Sequence, residues 1–178
     1  MSANFITNSG CPANFLSGVG FQFQLLKHPQ VSFFCQSATV PGIDLSIANQ
    51  STRYNTLPHP GDEINFQDLD IDIIIDENMK NYITIHNWIR NLGHPYSSTD
   101  IQDLPGQDLD DKTYSDAILF ILDSNFNKKI KIVFDDVFPY SIGPLRFRTT
   151  ETDVPYFTAT ISFKYTIYNF YDIQDNKL

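Results

Sequence analysis

The plainest pattern in the chain lies between residues 68 and 76, where apolar and acidic side chains alternate. The apolar positions are Leu69, Ile71, Ile73 and Ile75, and the acidic positions are Asp68, Asp70, Asp72 and Asp76. Successive side chains of a strand point to opposite faces. The segment therefore predicts a strand with one buried face and one acidic face.

Further strands are predicted where apolar residues alternate or run together. These segments are Gly20–Lys27, Val31–Gln36, Tyr114–Asp123, Lys129–Phe134, Leu145–Arg148 and Phe157–Ile167. We expect His28–Gln30 to join the first two in a hairpin. Ala117–Leu122 is apolar on both faces, which predicts a central strand. Phe138–Leu145 is expected to form a corner, and the last strand to be the longest.

One helix is predicted over 77–92. Asp76 suits its N-cap, and Glu77 places negative charge in the first turn, where the helix dipole favours it. Gly93 is expected to end the helix. The apolar residues recur at three- and four-residue steps: Met79, Tyr82, Ile83, Ile85, Trp88, Ile89 and Leu92. We expect Trp88 to anchor the helix against the sheet.

The polar segment from Ile43 to Pro60 has few residues with which to build a core of its own. Pro41–Gly42 suits a turn before it, and Pro58–Asp62 is expected to end it. Long loops without internal structure are uncommon and usually functional, so we expect an extended hairpin arm that contacts another subunit. The candidate contact residues are Asp44, Ser46, Gln50, Arg53, Tyr54 and Leu57.

About seven strands, one helix and two long loops predict a mainly antiparallel β sandwich or barrel with one packed α-helix. The predicted organisation is an N-terminal arm over 1–14, a single domain over 15–171 and a C-terminal tail over 172–178. The domain carries the hairpin arm at 43–60 and an acidic loop at 96–113. The 178 residues are enough for one such domain with a real core.

Composition supports a folded, β-rich protein. Hydrophobic residues make up 42% and charged residues 19%, which argues against disorder. The 15 Phe and 9 Tyr residues suit half-buried sheet surfaces. A net charge of −9 argues against binding of nucleic acid by phosphate neutralisation. Neither a signal-peptide pattern nor a membrane-length apolar run is present, which predicts folding in the cytosol.

No residue pattern indicates catalysis or metal binding. The histidines, which lack ligand spacing with Cys or carboxylates, are His28, His59, His86 and His94. Phosphate loops and nucleophile elbows are also absent. Asp68, Asp70 and Asp72 lie on an extended strand and not in a converging loop, so a solvated or phosphate-repelling face is expected. We predict no enzyme, no metal site and no cofactor.

Two cysteines, Cys11 and Cys35, are too few for a disulfide framework. Cys35 lies within an apolar segment and is expected to be a small buried residue. A Cys11–Cys35 disulfide is the alternative that the sequence leaves open.

Two groups of motifs carry a resemblance to a known family. The first is Phe33–Gly42, followed by Pro60–Asp62, the strand through Asp76–Glu77 and the helix containing Asn87–Ile89. The second is Phe138–Pro139, Ile142–Gly143 and Leu145, leading to the final alternating strand. In this order, over about Phe15 to Tyr168, the chain resembles the tail tube family of T4-type contractile-tailed bacteriophages. That family includes the related ring proteins that begin the tube at the baseplate.

The resemblance implies that six copies close into a ring and that rings stack into the inner tail tube of a phage virion, after assembly in the host cytoplasm. Its partners would be further copies of the chain and neighbouring tube, sheath or baseplate proteins. DNA would pass through without specific binding, because an acidic bore does not hold phosphate. Asp68, Asp70 and Asp72 are the candidates for lining that bore.

Other functions stay open on the sequence. The arm Met1–Asn14 and the loop Asp100–Thr113 have no clear counterpart in the family, which would suit a specialised ring at the baseplate or tube end. Secretion-system tubes share the pattern. From other classes, an enzymatic or small-ligand-binding β-barrel would need converging polar groups in a pocket. A secreted carbohydrate-binding module is disfavoured by the missing signal peptide.

Overall fold

The structure is a computed structural model that describes residues 16, 18–32, 34–93, 113–147 and 156–178. Within these residues it has nine strands and two helices. The strands are β1 Phe21–Leu25, β2 Cys35–Ala38, β3 Ile43–Ser51, β4 Thr56–Phe66, β5 Leu69–Ile74, β6 Ser115–Leu122, β7 Lys128–Ile142, β8 Thr158–Lys164 and β9 Ile167–Asp172. The helices are α1 Pro29–Ser32 and α2 Lys80–Leu92. The predicted mainly antiparallel β class is confirmed.

β7 is shared by two groups of strands. Its first part, up to Val137, pairs with β6 on one edge and β9 on the other, and β1 lies beyond β6. Its last part, from Phe138, pairs with β8, which is followed by β5 and β2. β6 lies between β1 and β7, which confirms the predicted central strand. β3 and β4 form a separate two-stranded sheet.

β8 and β9 follow one another along the same edge of β7. The pairing of β7 passes from β8 at Phe138 to β9 at Asp135, and the break between the two partner strands falls at Tyr165–Thr166. Opposite this break Asp136 has a φ of 57°, a left-handed conformation that bends the strand. The single long strand predicted over Phe157–Ile167 is therefore wrong. It is two strands, and β7, with 15 residues, is the longest.

The core is formed by one face of β1, β5, β6, β7 and β8 together with residues of α1 and α2. It consists of Phe23, Leu25, Val31, Leu69, Ile71, Ile73, Ile85, Trp88, Ala117, Leu119, Ile132, Phe134, Val137, Ala159, Ile161 and Phe163. The alternation of β5 is confirmed, since Leu69, Ile71 and Ile73 are buried while Asp70 is exposed. Burial of each large apolar side chain contributes about 1.5–3 kcal/mol.

The start of α2 differs from the prediction. The helix begins at Lys80, after Met79 at the N-cap position with φ 55° and no side-chain cap. Asp76 instead accepts the N–H of Asn78 at 2.9 Å, and its carbonyl accepts the N–H of Met79 at 2.8 Å. These bonds close a turn before the helix, so neither Asp76 nor Glu77 occupies its first turn.

The packing of α2 follows the prediction more closely. Trp88 is buried and lies 4.9 Å from the ring of His28, which confirms it as the anchor of the helix. Asn81 is also buried, and its amide donates a 2.8 Å hydrogen bond to the carbonyl of Ile74. The helix ends at Leu92, directly before Gly93, as predicted.

The strand predicted over Val31–Gln36 is wrong. Pro29 begins the one-turn helix α1, since its fixed φ suits a first helical position, and the strand begins only at Cys35. The hydroxyl of Ser32 accepts the N–H of Leu25 at 2.8 Å, which holds α1 against β1. The predicted hairpin is also wrong, because β1 pairs with β6 and β2 pairs with β5.

Two segments that were predicted to end a strand or to form a corner lie within continuous strands. Pro58–Asp62 lies within β4, where a two-stranded sheet has only edge strands and tolerates proline. Phe138–Ile142 is the end of β7 and not a corner. Leu145–Phe147 form no strand, which corrects the prediction for the part of that segment that is described.

Several predictions fall on residues outside the description. They concern the arm over 1–14, Cys11, Arg148 and the acidic loop, of which only Thr113 is described. In the described part of the chain, none of the helices combines the length and apolar character needed to cross a membrane.

Candidate subunit interface

The pair β3–β4 forms a hairpin that leaves the body of the protein, and we call residues 43–66 the arm. Its pairing runs from Ile43 with Phe66 to Ser51 with Thr56. Nine residues of β3 at about 3.3 Å each give a reach of about 30 Å. All but three of its strand residues are exposed. The hairpin extends to Phe66 instead of ending at Pro60, and its contact with another subunit stays a prediction.

The arm has an apolar face and a mostly polar face, because directly opposed residues of an antiparallel pair lie on the same side. The apolar face carries Ile43, Leu45, Ile47, Pro58, Pro60, Ile64 and Phe66, and toward the tip it also carries the polar residues Asn49, Ser51 and Thr56. The opposite face carries Asp44, Ser46, Ala48, Gln50, Leu57, His59, Glu63 and Asn65. Ile47 is 67% exposed and Ile64 is 54% exposed. A contiguous apolar surface of this kind is typical of an interaction site.

The tip of the arm is a tight turn over Thr52–Asn55. The N–H of Thr52 donates to the carbonyl of Asn55 at 2.8 Å, and the N–H of Asn55 donates to the Thr52 hydroxyl at 3.1 Å. The Arg53 guanidinium lies 5.6 Å from the centre of the Tyr54 ring, and Tyr54 is 90% exposed. A cation and an aromatic ring are thus presented together at the end of the arm.

A bulge fixes the shape of the arm near its middle. Ser46 lies opposite the three residues between Pro60 and Ile64, and its hydroxyl accepts the N–H of Glu63 at 3.2 Å. The backbone of Gly61 comes so close that an added Cβ would lie 2.7 Å from the Ser46 carbonyl oxygen. Only glycine fits here without a shift of the backbone.

The predicted contact residues occupy two places on the arm. Arg53 and Tyr54 are at the tip, while the other four lie on the mostly polar face: Asp44, Ser46, Gln50 and Leu57. Asp44 accepts a hydrogen bond from the amide of Gln67 at 3.2 Å, and Gln50 bonds to His59 at 3.0 Å. The second bond lies within the arm, and the first joins the arm to Gln67, which directly follows it.

The acidic residues of β5 lie along an outer face of the sheet and are bonded to neighbouring strands. Ser162 on β8 donates to Asp70 at 2.6 Å. Thr160 on β8 and Ser37 on β2 each donate to Asp72 at 2.6 Å. These hydroxyl donors connect the acidic row to the neighbouring strands β8 and β2.

Asp68 is part of an ionic group beside this row. It forms a salt bridge with Lys164 and accepts a hydrogen bond from the Tyr140 hydroxyl. The bond from Lys164, followed by that from Tyr140, lowers the pKa of Asp68. The same partnership raises the pKa of Lys164. Of the three candidate bore residues, Asp68 is therefore neutralised locally by Lys164. In the described structure the side chains that bond to Asp70 and Asp72 are hydroxyls.

Cys35 is a free, half-buried thiol. Burial, and to a smaller extent the charge of Asp72, raises its pKa to about 12. A thiol with such a pKa stays protonated and unreactive at neutral pH.

Two observations on the described residues concern the catalytic and metal-binding alternatives. They contain no group of three or more His, Cys, Asp or Glu side chains that could hold a metal ion. A cavity of about 360 Å³ lies beside β1 and α1, lined by Gln22, Phe23, Gln24, Leu25, Leu26, Pro29 and Ser32. None of these side chains titrates, so this cavity lacks the acid or base of an ordinary active site.

Comparison with known proteins agrees with this geometry. A family model described as phage tail tube protein matches residues 3–171. The chain belongs to the phage tail tube protein family. No curated protein matches the chain by sequence.

Solved structures share the tail tube fold at low sequence identity. A chain of the anti-feeding prophage baseplate matches with a TM-score of 0.61 and 9% identity, over 92% of this chain and 98% of that one. A chain of the sheath–tube complex of an extracellular contractile injection system (PVC) has a TM-score of 0.61 and 10% identity, with 90% and 94% covered. Hcp1 from E. coli has a TM-score of 0.51 and 6% identity, with 90% and 96% covered. The tail tube fold thus occurs in components of contractile injection systems.

Sequence reasoning missed the apolar face of the arm and the hydroxyl partners of the acidic row. The alternation of Ile43, Leu45 and Ile47 was the available signal for the former. Ser162 and Thr160 alternate with the buried residues of β8, but their pairing with Asp70 and Asp72 requires the register between distant strands.

Proposed function

We propose that this tail tube protein is a structural subunit, without catalytic activity, whose copies close into six-membered rings that stack into the inner tube of a phage tail. Its exposed arm is the observation that carries the proposal. A hairpin of about 30 Å that is isolated in water has little stability of its own, and exposure of its isoleucines to water is unfavourable. Burial of its apolar face against another copy supplies the free energy of association.

The fold relatives support this arrangement. The anti-feeding prophage baseplate that the tail tube protein resembles was reconstructed with 6-fold symmetry, and the PVC relative comes from a sheath–tube complex. Tube, sheath or baseplate proteins are therefore the expected neighbours. In a phage, assembly would take place in the host cytoplasm and the product would be part of the virion.

Asp70 and Asp72 support a role as a DNA conduit. If this face lines the bore, the six copies of Asp70 and Asp72 place twelve carboxylates around the bore of each ring. These carboxylates would repel the phosphates of DNA. DNA would then slide without specific binding. A reconstruction of the assembled tube with the β5–β8 face on the outer wall, or with a neutral-to-basic bore, would reject this assignment.

The first experiment is negative-stain electron microscopy of the purified tail tube protein, with its mass measured by light scattering at rising concentration. We expect six-fold rings or tubes, with a ring mass about six times the 20.4 kDa of one chain. Rings of another copy number would reject the six-membered ring.

The arm is tested separately by deletion of Gln50–Thr56, which should leave the fold intact and prevent stacking. A matched variant shortens the turn between Ser124 and Asn127, which lies outside the arm. Normal stacked tubes from the arm deletion would show that the arm is not the stacking element.

A second candidate is a specialised ring at the baseplate or tube end. The baseplate relative favours it. The same micrographs separate the two functions, because a repeating subunit extends into tubes and an end piece stops at single rings.

A further inference from the structure

The arm joins the body of the protein through two chain segments, and each is held by a tyrosine. Pro41 precedes β3, and its carbonyl accepts a 2.9 Å hydrogen bond from the hydroxyl of Tyr168 on β9. Gln67 follows β4, and its carbonyl accepts a 2.8 Å hydrogen bond from the hydroxyl of Tyr165. The two tyrosines lie at the break between β8 and β9 and at the start of β9.

The two chain segments are also bonded to each other. The N–H of Gln67 donates to the carbonyl of Gly42 at 3.1 Å. Three hydrogen bonds to backbone carbonyls therefore close the base of the arm, one across the hairpin and one from each tyrosine to the segment it faces. The side-chain bond from Gln67 to Asp44 lies beside them. We call the two tyrosine bonds the clamp.

The rings of the clamp pack in a cluster beneath the last residue of the arm. The ring centre of Phe66 lies 5.9 Å from that of Tyr165 and 5.8 Å from that of Tyr168. Phe134 of β7, which is fully buried, lies 5.3 Å from Tyr165 and 5.4 Å from Tyr168. The clamp thus connects the arm to the rigid core of the large sheet.

The Tyr165 hydroxyl of the clamp remains a donor at all ordinary pH values. Burial, followed by the nearby Tyr168, raises the pKa of Tyr165 to about 12. Most of the arm is exposed, so the described restraints on its direction lie at its base. They include the clamp, the Phe66 contacts and the bond from the N–H of Thr39 to the carbonyl of Asp70 at 3.0 Å.

We propose that Tyr165 and Tyr168 are positioning residues for assembly, which fix the direction of the arm in the free subunit before a second copy binds it. This inference rests on the proposed role of the arm in subunit association. A subunit whose arm already points in the bound direction loses less conformational entropy on docking. When the arm has the competent direction in only a fraction of the subunits, the apparent affinity is the intrinsic affinity multiplied by that fraction.

The test removes the hydroxyls and keeps the rings, in the double variant Tyr165→Phe and Tyr168→Phe. The matched control is Tyr171→Phe on the same strand, because no hydrogen bond from that hydroxyl is found in the described structure. The direction of the arm in the unassembled subunit is measured as the distance between two spin labels. The labels are attached at Asn49→Cys on the arm and at Ser124→Cys on the β6–β7 turn. Cys11 and Cys35 are replaced by alanine so that they are not labelled. Light scattering of the unlabelled variants gives the concentration at which rings or tubes form.

We expect a broader distance distribution for the double variant than for the wild type and for Tyr171→Phe. We also expect a rise of about threefold to tenfold in the assembly concentration. An unchanged distance distribution would overturn the clamp. A broader distribution with an unchanged assembly concentration would overturn its role in positioning. Neither result depends on the deletion of Gln50–Thr56, which tests the function of the arm itself.

Discussion

The hydroxyl of Thr160 donates a 2.6 Å hydrogen bond to the carboxylate of Asp72, which lies directly opposite it in the β5–β8 register. Ser37 of β2 donates a second bond of the same length to the other carboxylate oxygen. One aspartate therefore connects three neighbouring strands on the outer face of the sheet.

Replacement of Asp72 by alanine should lower the free energy of unfolding by about 1–2 kcal/mol, because two hydroxyls lose a charged acceptor. Asp70→Ala is the matched variant: Asp70 is more exposed and accepts one such bond, so a loss of about 0.5 kcal/mol is expected. Denaturant unfolding measures both. Equal losses would show that the bridge across three strands adds no stability.

The contrast between core and arm can be tested with one residue type. Ile161→Ala in the core should cost about 2–5 kcal/mol, because it leaves a cavity at a fully buried site. Ile47→Ala on the arm should change stability by less than about 0.5 kcal/mol, yet weaken assembly. Thermal unfolding and light scattering give the two quantities. Tube formation by Ile47→Ala at the wild-type concentration would exclude that side chain from the interface.

Gly61→Ala should distort the arm without unfolding the body. Its Cβ would press on the backbone of Ser46, and a clash with backbone is relieved only by a shift of the strand. Hydrogen exchange should increase at the amides of β3 and β4 and stay unchanged in β5 to β8. Gly18→Ala is the control, since an added Cβ there meets no atom within 4 Å. Equal exchange in both variants would contradict the close approach.

Stability should fall as the pH is lowered from about 7 to 5. Burial against Trp88, with a smaller effect of Lys27, lowers the pKa of His28. Below about pH 6.5, the ordinary pKa of histidine, His28 binds a proton in the unfolded chain but not in the folded chain. The free energy of unfolding therefore decreases as the pH is lowered, until the pH reaches the pKa of His28 in the folded protein. The slope is at most about 1.4 kcal/mol per pH unit for one proton.

The variant His28→Gln should flatten this part of the stability curve relative to the wild type. Asp68, whose pKa is also lowered, acts near pH 4 and below, outside this range. Parallel curves for wild type and variant between pH 7 and 5 would exclude His28 as the cause.

The sequence predicted strands well where one face is buried. The alternation of β5 and the double apolar run of β6 report burial directly, so these strands lie where expected. β8 occupies the first part of the single strand predicted over Phe157–Ile167. The arm was also foreseen, because prolines, polar side chains and the lack of a core all indicate an exposed segment.

The failures have local physical causes. Val31–Gln36 has strand propensity, but Pro29 favours a helical first turn and the side chain of Ser32 bonds back to Leu25. Asp76 has the residue type of an N-cap, yet it closes the preceding turn with Asn78. The clamp and the bonds between β5 and β8 in the acidic row join residues about 90 or more positions apart, which periodicity alone does not report.

The strand order of the large sheet affects how the tail tube protein folds. β1 pairs with β6 and β5 pairs with β8, so both halves of the sheet depend on segments about 90 residues apart in the chain. Fold topologies dominated by such distant pairings form slowly. Until the ribosome has released β8, one edge of β5 has no partner strand. We therefore expect the sheet to close only after synthesis has passed residue 164, and the nascent protein to need protection from aggregation until then.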